Sequence, residues 1–133
     1  MTHRYTFVFS IILTLSACGQ QTSSANNTVN SCEGCKAYEE YGDKRLTSVD
    51  TLPDFDKNGP HILLTGTVFQ YDRKTPAEDV ILYIYHTNRE GIYPKTGNEK
   101  GHAKRHGYLR GWVKTNERGD YAFYTFRPGA YPS

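Results

Sequence analysis

Leu109-Arg110-Gly111-Trp112-Val113-Lys114-Thr115-Asn116-Glu117-Arg118-Gly119-Asp120-Tyr121-Ala122-Phe123-Tyr124-Thr125-Phe126 is the stretch that decides the class of fold. Branched and aromatic side chains fill its two ends, which suits them to pleated, half-buried strands. Between the ends, Asn116-Glu117-Arg118-Gly119 reads as a four-residue hairpin loop, with Gly119 free to take the left-handed conformation that closes it. Trp112 is expected to pack in the core, and Arg110 either braces a site wall or pairs with a carboxylate.

Working outward, residues 62–70 form another branched and aromatic run, and Asp72-Arg73-Lys74-Thr75-Pro76 is a turn. Residues 80–87 follow as a run apolar on both faces, which predicts a strand inside a sandwich. Upstream, residues 36–46 hold enough Glu, Lys, Ala and Tyr for a turn or two of helix, and Pro53 and Asn58-Gly59-Pro60 prevent its continuation. Short strands with turn signals and no long amphipathic helix predict an all-β fold, an antiparallel Greek-key β-sandwich.

The N-terminus has a different logic. A basic start at His3 and Arg4, an apolar stretch over residues 5–15 and the small residues Ser16 and Ala17 before Cys18 make residues 1–17 an export signal rather than a membrane span. Leu15-Ser16-Ala17-Cys18 is similar to a bacterial lipobox, which implies lipidation of Cys18 and anchoring by acyl chains. A plain secretory signal is the alternative. With Gly19 and Gln20 next, resemblance to Gram-negative lipoproteins implies the outer membrane. Residues 18–31 are polar and read as a flexible tether, and residues 32–133 as one domain.

Without Arg4, fifteen basic side chains face fourteen acidic ones, a balance that gives no reason to expect nucleic-acid binding. Lys100, Lys104, Arg105, Arg110 and Lys114 cluster locally and read as a solvated face. In an exported chain, Cys32-Glu33-Gly34-Cys35 is a small disulfide, a redox pair or half of a metal site. With no second pair for zinc and no βαβ unit to carry a redox motif, the disulfide Cys32–Cys35 is favoured, as a local clip.

Most of the eleven tyrosines are expected to be core or rim residues with bonded hydroxyls, Tyr83, Tyr85, Tyr121 and Tyr124 among them. Tyr93, in Gly91-Ile92-Tyr93-Pro94, and Tyr131, in Arg127-Pro128-Gly129-Ala130-Tyr131-Pro132, differ because each follows a strand in a Gly- or Pro-bearing turn. Phenolate is a hard oxygen donor, and a highly charged metal displaces its proton although free tyrosine ionises only near pH ~10. His86 reads as a satisfied rim histidine. His102 and His106, bracketed by Gly101 and Gly107, read as solvated loop residues.

The ordered string from Ile62 to Pro132 resembles the intradiol ring-cleavage dioxygenases of the catechol and protocatechuate type. These carry a Gly-x-Tyr after one strand, an Arg-Gly strand, a Thr-Asp-x-x-Gly-x-Tyr hairpin and a Pro-x-x-Tyr, all in this order here, with Asn116 at the usual Asp. The resemblance implies a transthyretin-like core and Fe(3+) held by Tyr93 and Tyr131. It also implies a catechol-type aromatic cleaved between its hydroxyl-bearing carbons by dioxygen, with Tyr131 leaving the metal to act as base. The family completes its iron with a His-x-His on a strand beyond the second tyrosine, preceded by an arginine. Neither occurs in this sequence, so the expectation is a domain incomplete at its C-terminus. The alternative is a transthyretin-like sandwich serving as a binding or structural lipoprotein without catalysis.

Overall fold

The computed structural model describes residues 34–132. Five strands dominate: β1 Val49–Thr51, β2 His61–Thr67, β3 Ile81–Tyr85, β4 Arg110–Lys114 and β5 Asp120–Phe126. The helical pieces are short, one-turn 3-10 segments at Ala37–Glu39 and Phe55–Lys57 and a single turn, α1, at Ala103–His106. The class is therefore all-β. The helix expected over residues 36–46 shrinks to the first 3-10 turn, which Gly42, with φ of 59°, does not extend.

The strands form two sheets that contribute to one core. In the first the order is β1-β5-β2, and in the second β3 pairs with β4. Their common core is Leu52, Val113 and Phe123, with Leu82, Ile84 and Tyr121 packed against it. Full burial of side chains of this size contributes about 1.5–3 kcal/mol each. Alternation along β5 places Phe123 and Thr125 inside and Tyr124 outside.

Three expectations are corrected. The sheets are not purely antiparallel, because β1 runs parallel to β5, Val49 opposite Ala122 and Thr51 opposite Tyr124. β4 and β5 are not a hairpin, since they belong to different sheets and the turn between them carries the chain across the core. That turn is still built as its sequence suggests. The Asn116 side chain accepts from the Arg118 and Asp120 amides at 2.9 and 3.0 Å, and Gly119 sits at φ of 72°. A Cβ at Gly119 would lie 2.3 Å from the Val68 carbonyl oxygen, which explains the glycine and the close approach of β2. The third correction is β3, which pairs only with β4 among the described residues and stays half-buried rather than enclosed.

The reason β4 does not pair with β5 lies on its outer edge. Lys114 N–H donates to the Thr47 carbonyl at 2.8 Å, and Trp112 N–H to the buried Asp50 carboxylate at 2.9 Å. Asp50 also takes Lys44 at 2.5 Å and its neighbour's amide, Thr51 N–H, at 3.0 Å. The segment leading into β1 thus closes one side of the molecule and joins the two sheets at a corner.

Candidate functional site

Tyr93 and Tyr131 lie on one rim, and their hydroxyls are hydrogen-bonded to each other although 38 residues separate them. What joins them is backbone. Asn88, just past β3, is the hub: its carbonyl accepts from Gly91 N–H at 3.2 Å and from Gly129 N–H at 2.8 Å. Its side-chain oxygen accepts from Glu90 and Ile92 amides at 3.1 and 3.0 Å, and its own N–H donates to the Ile92 carbonyl at 2.7 Å. Buried Thr87 donates its hydroxyl to the Gly129 carbonyl at 3.1 Å.

Each tyrosine stands two residues after a glycine that lies against the other loop. A Cβ on Gly91 would fall 1.8 Å from the Ala130 carbonyl oxygen, and one on Gly129 would fall 2.1 Å from that of Arg89. Gly91 also has φ of 77°. The two loops are therefore interlocked at van der Waals closeness, which only residues without a side chain allow. On its other side the Tyr93 segment is held by Tyr108 N–H donating to the Pro94 carbonyl at 3.0 Å.

The two rings differ in surroundings. Tyr131 is 68% exposed, while Tyr93 is half-buried with its ring 5.5 Å from that of Tyr85. The bond with Tyr131, then burial, then the nearby Tyr131 and Tyr85 hydroxyls push the Tyr93 hydroxyl up to about 12, so Tyr93 holds its proton at neutral pH.

Behind Tyr85 lies a polar wall. The imidazole of His106 stacks on Tyr85 at 3.8 Å between ring centroids, and its Nδ1 is 2.8 Å from the Tyr83 hydroxyl. His106 is buried and ends α1, so the reading of a solvated loop histidine is corrected. His102 is no free loop residue either, because Glu40 accepts from both its amide at 2.9 Å and its Nδ1 at 2.8 Å. Glu40 also takes Arg110 at 2.6 Å, and Arg110 lies 4.9 Å from the centre of the Trp112 ring. Of the two roles foreseen for Arg110, pairing with a carboxylate is the one observed.

Burial pushes the Glu40 carboxyl up, but the hydrogen bonds from the His102 amide, Arg110 and the His102 ring outweigh it and hold it down to about 2. The sign follows: stability from Glu40 is complete above its ordinary value of 4.5 and is lost as pH falls toward 2. Glu40→Gln is expected to remove about 1–2 kcal/mol at pH 7 and to flatten the acid limb of a urea-denaturation profile over that window. An acid limb identical to that of the unaltered protein would show that Glu40 does not carry it.

His86 is satisfied as expected, with Nδ1 at 2.6 Å from the Thr87 carbonyl and Nε2 at 2.5 Å from the Thr125 hydroxyl. Trp112 packs and donates its indole N–H to the Ala37 carbonyl at 3.0 Å. Cys35 is disulfide-bonded. Cys18 and Cys32 lie outside the described residues. Clefts of about 440, 320 and 430 Å³ are lined by residues other than the tyrosine pair, which occupies an open rim. Among the described residues no group of three or more His, Cys, Asp or Glu is arranged to hold a metal.

No family model matches the chain, and no curated protein matches it. The sequence reading missed Asn88 and the wall of His106, Tyr83, Glu40 and His102. The Asn88 signal was present locally, as an Asn three residues before Gly91 at a strand end.

Proposed function

We propose that this protein is an intradiol-type dioxygenase, cleaving a catechol-type aromatic with dioxygen at a ferric ion held by Tyr93 and Tyr131. The observation that carries the reading is the direct hydrogen bond between these two hydroxyls on one rim. Two phenols in contact put two hard oxygen donors at one point, and a trivalent cation there takes the place of their protons. A bound ferric ion would supply Lewis acidity toward the diol and the means to use dioxygen. Tyr93, half-buried and backed by Tyr85, is the fixed ligand. Tyr131, exposed at the end of its loop, is the one free to swing away and take a proton from a catechol hydroxyl.

Two phenolates leave the coordination shell unfilled, and the described histidines are engaged elsewhere: His61 with the Phe55 carbonyl, His86 with Thr87 and Thr125, His102 with Glu40, and His106 with Tyr83. Ferric ion alone is therefore expected to bind weakly and without turnover. Adding imidazole to the ferric protein is expected to raise affinity and bring up a red-brown phenolate charge-transfer band, lost in Tyr93→Phe and in Tyr131→Phe. Catechol consumption with oxygen uptake should follow the same pattern. A band that survives both substitutions, or none with imidazole present, would overturn the ferric reading. That second result would favour the alternative, a binding or structural lipoprotein without catalysis, which the open rim also suits.

The scaffold that accompanies this proposal is a transthyretin-like Greek-key sandwich, supported by two sheets that both contribute to one apolar core. The proposed location is the cell envelope, tethered to the outer membrane through Cys18. Globomycin is expected to make a precursor accumulate, and Cys18→Ala to release soluble protein; a membrane fraction unaffected by either would refute the tether.

A further inference from the structure

The two sheets are closed on one side and open on the other. On the closed side the segment into β1 takes the edge of β4 through the Thr47 carbonyl and Asp50. Opposite it, among the described residues, neither β2 nor β3 has a strand on its far edge. The register places Leu64 beside Phe123 and Ile62 beside Thr125, both buried, so Ile62 and Leu64 face inward. Yet they are 40% and 45% exposed, and Leu82 and Ile84 across the gap are only half-buried. The core has an apolar flank.

β2 also lacks the devices that keep edge strands from pairing. No charged residue, proline or bulge interrupts Ile62 to Thr67. Its ladder to β5 fixes which groups are spare. Val68 N–H donates to Gly119 and Arg127 N–H to the Pro60 carbonyl, so even-numbered residues face β5. His61, Leu63, Thr65 and Thr67 direct their N–H and C=O outward.

We infer that this flank is a homodimer interface, formed by antiparallel pairing of β2 with β2 of a second copy about a two-fold axis through Leu64. One axis normal to the sheets satisfies both layers: it continues the β1-β5-β2 sheet through its symmetry mate and brings the two β3 edges to the same side. Pairing His61 with Thr67 and Leu63 with Thr65 of the second copy uses all four spare residues of each strand. Leu64 then meets its own image on the core side, and Ile62 comes beside Gly66, over which the Tyr121 ring packs, so that Ile62 meets that ring. Like faces like without repulsion because Ile62 to Thr67 are uncharged, which is the condition an isologous contact requires.

Two substitutions separate pairing from folding. Thr65→Pro removes an outward N–H and leaves the ladder to β5 intact, while Leu64→Lys sets two like charges together at the axis. Sedimentation equilibrium of the protein from about 1 to about 100 µM is expected to show a dimer that either substitution converts to monomer. Near-ultraviolet circular dichroism from buried Trp112 should persist. Should Leu64→Lys fail to fold, Thr65→Pro decides. In hydrogen exchange, the Leu63 and Thr65 amides of the unaltered protein should be protected only at dimer-forming concentrations. A monomer over the whole range, a dimer that survives Thr65→Pro, or those amides protected in a monomer because residues 1–33 cover the edge would each overturn the inference.

Discussion

Gly91→Ala is expected to separate the two tyrosines and with them the proposed ferric site, with a smaller effect on global stability. At φ of 77° an alanine costs about 1–2 kcal/mol by itself. The larger problem is the Ala130 carbonyl oxygen 1.8 Å from the new Cβ, a backbone atom that cannot rotate away. The cheapest relief is for the Tyr131 segment to leave, since beyond β5 it is held mainly by the Gly129 bonds to Asn88 and Thr87. Spectrophotometric titration should then show the Tyr93 ionisation falling from about 12 toward the ordinary value near 10, as it should in Tyr131→Phe. Gly97→Ala is the control, because its φ of 98° carries strain but nothing lies within 4 Å. If Gly91→Ala titrates like the unaltered protein, the interlocked glycines do not hold the pair.

Asp50→Ala is expected to cause the largest loss of stability, about 3 kcal/mol. The carboxylate is the acceptor for the buried Trp112 amide, so its removal strands a donor that water does not reach. Losing the contact with Lys44 matters less, because that ammonium is half-exposed. Asp50→Asn separates the two effects: an amide oxygen still accepts from Trp112, and a loss of about 1 kcal/mol is expected. Equal losses in urea denaturation for the two variants would mean that the Lys44 charge pair, not the stranded amide, sets the cost.

The strands were legible because their residues say the same thing locally and globally: β3, β4 and β5 fall within the branched and aromatic runs, and β2 starts one residue before its own. Their pairing was not. Asn116 to Gly119 looks like a hairpin loop because its turn chemistry is that of a tight turn, and nothing in those four residues reports that β4 has its other edge taken. β1 was invisible for the same reason: Val49-Asp50-Thr51 is short and polar, and its work is done by a carboxylate bonding to a distant amide. Tyr93 and Tyr131 could be singled out by the ordered motifs they resemble, together with the glycines and prolines around them. His106 could not be placed, because flanking glycines signal a loop while stacking on Tyr85 is a tertiary contact. The open flank between β2 and β3 likewise has no local signature, since an apolar strand reads the same whether or not another element covers it.

The corner where β1 meets β4 also bears on the order of assembly. Val49 lies beside Ala122, so closing that parallel contact encloses all of β2, β3, α1 and β4 in one long chain loop. Such closures carry most of their entropic cost before any contact repays it, and they slow folding. Tyr93 is inside the loop and Tyr131 just past β5, so the two phenols meet only once β5 is seated. The rim is thus complete only after β5 has docked, and a chain still emerging from synthesis would not yet hold the two phenols together.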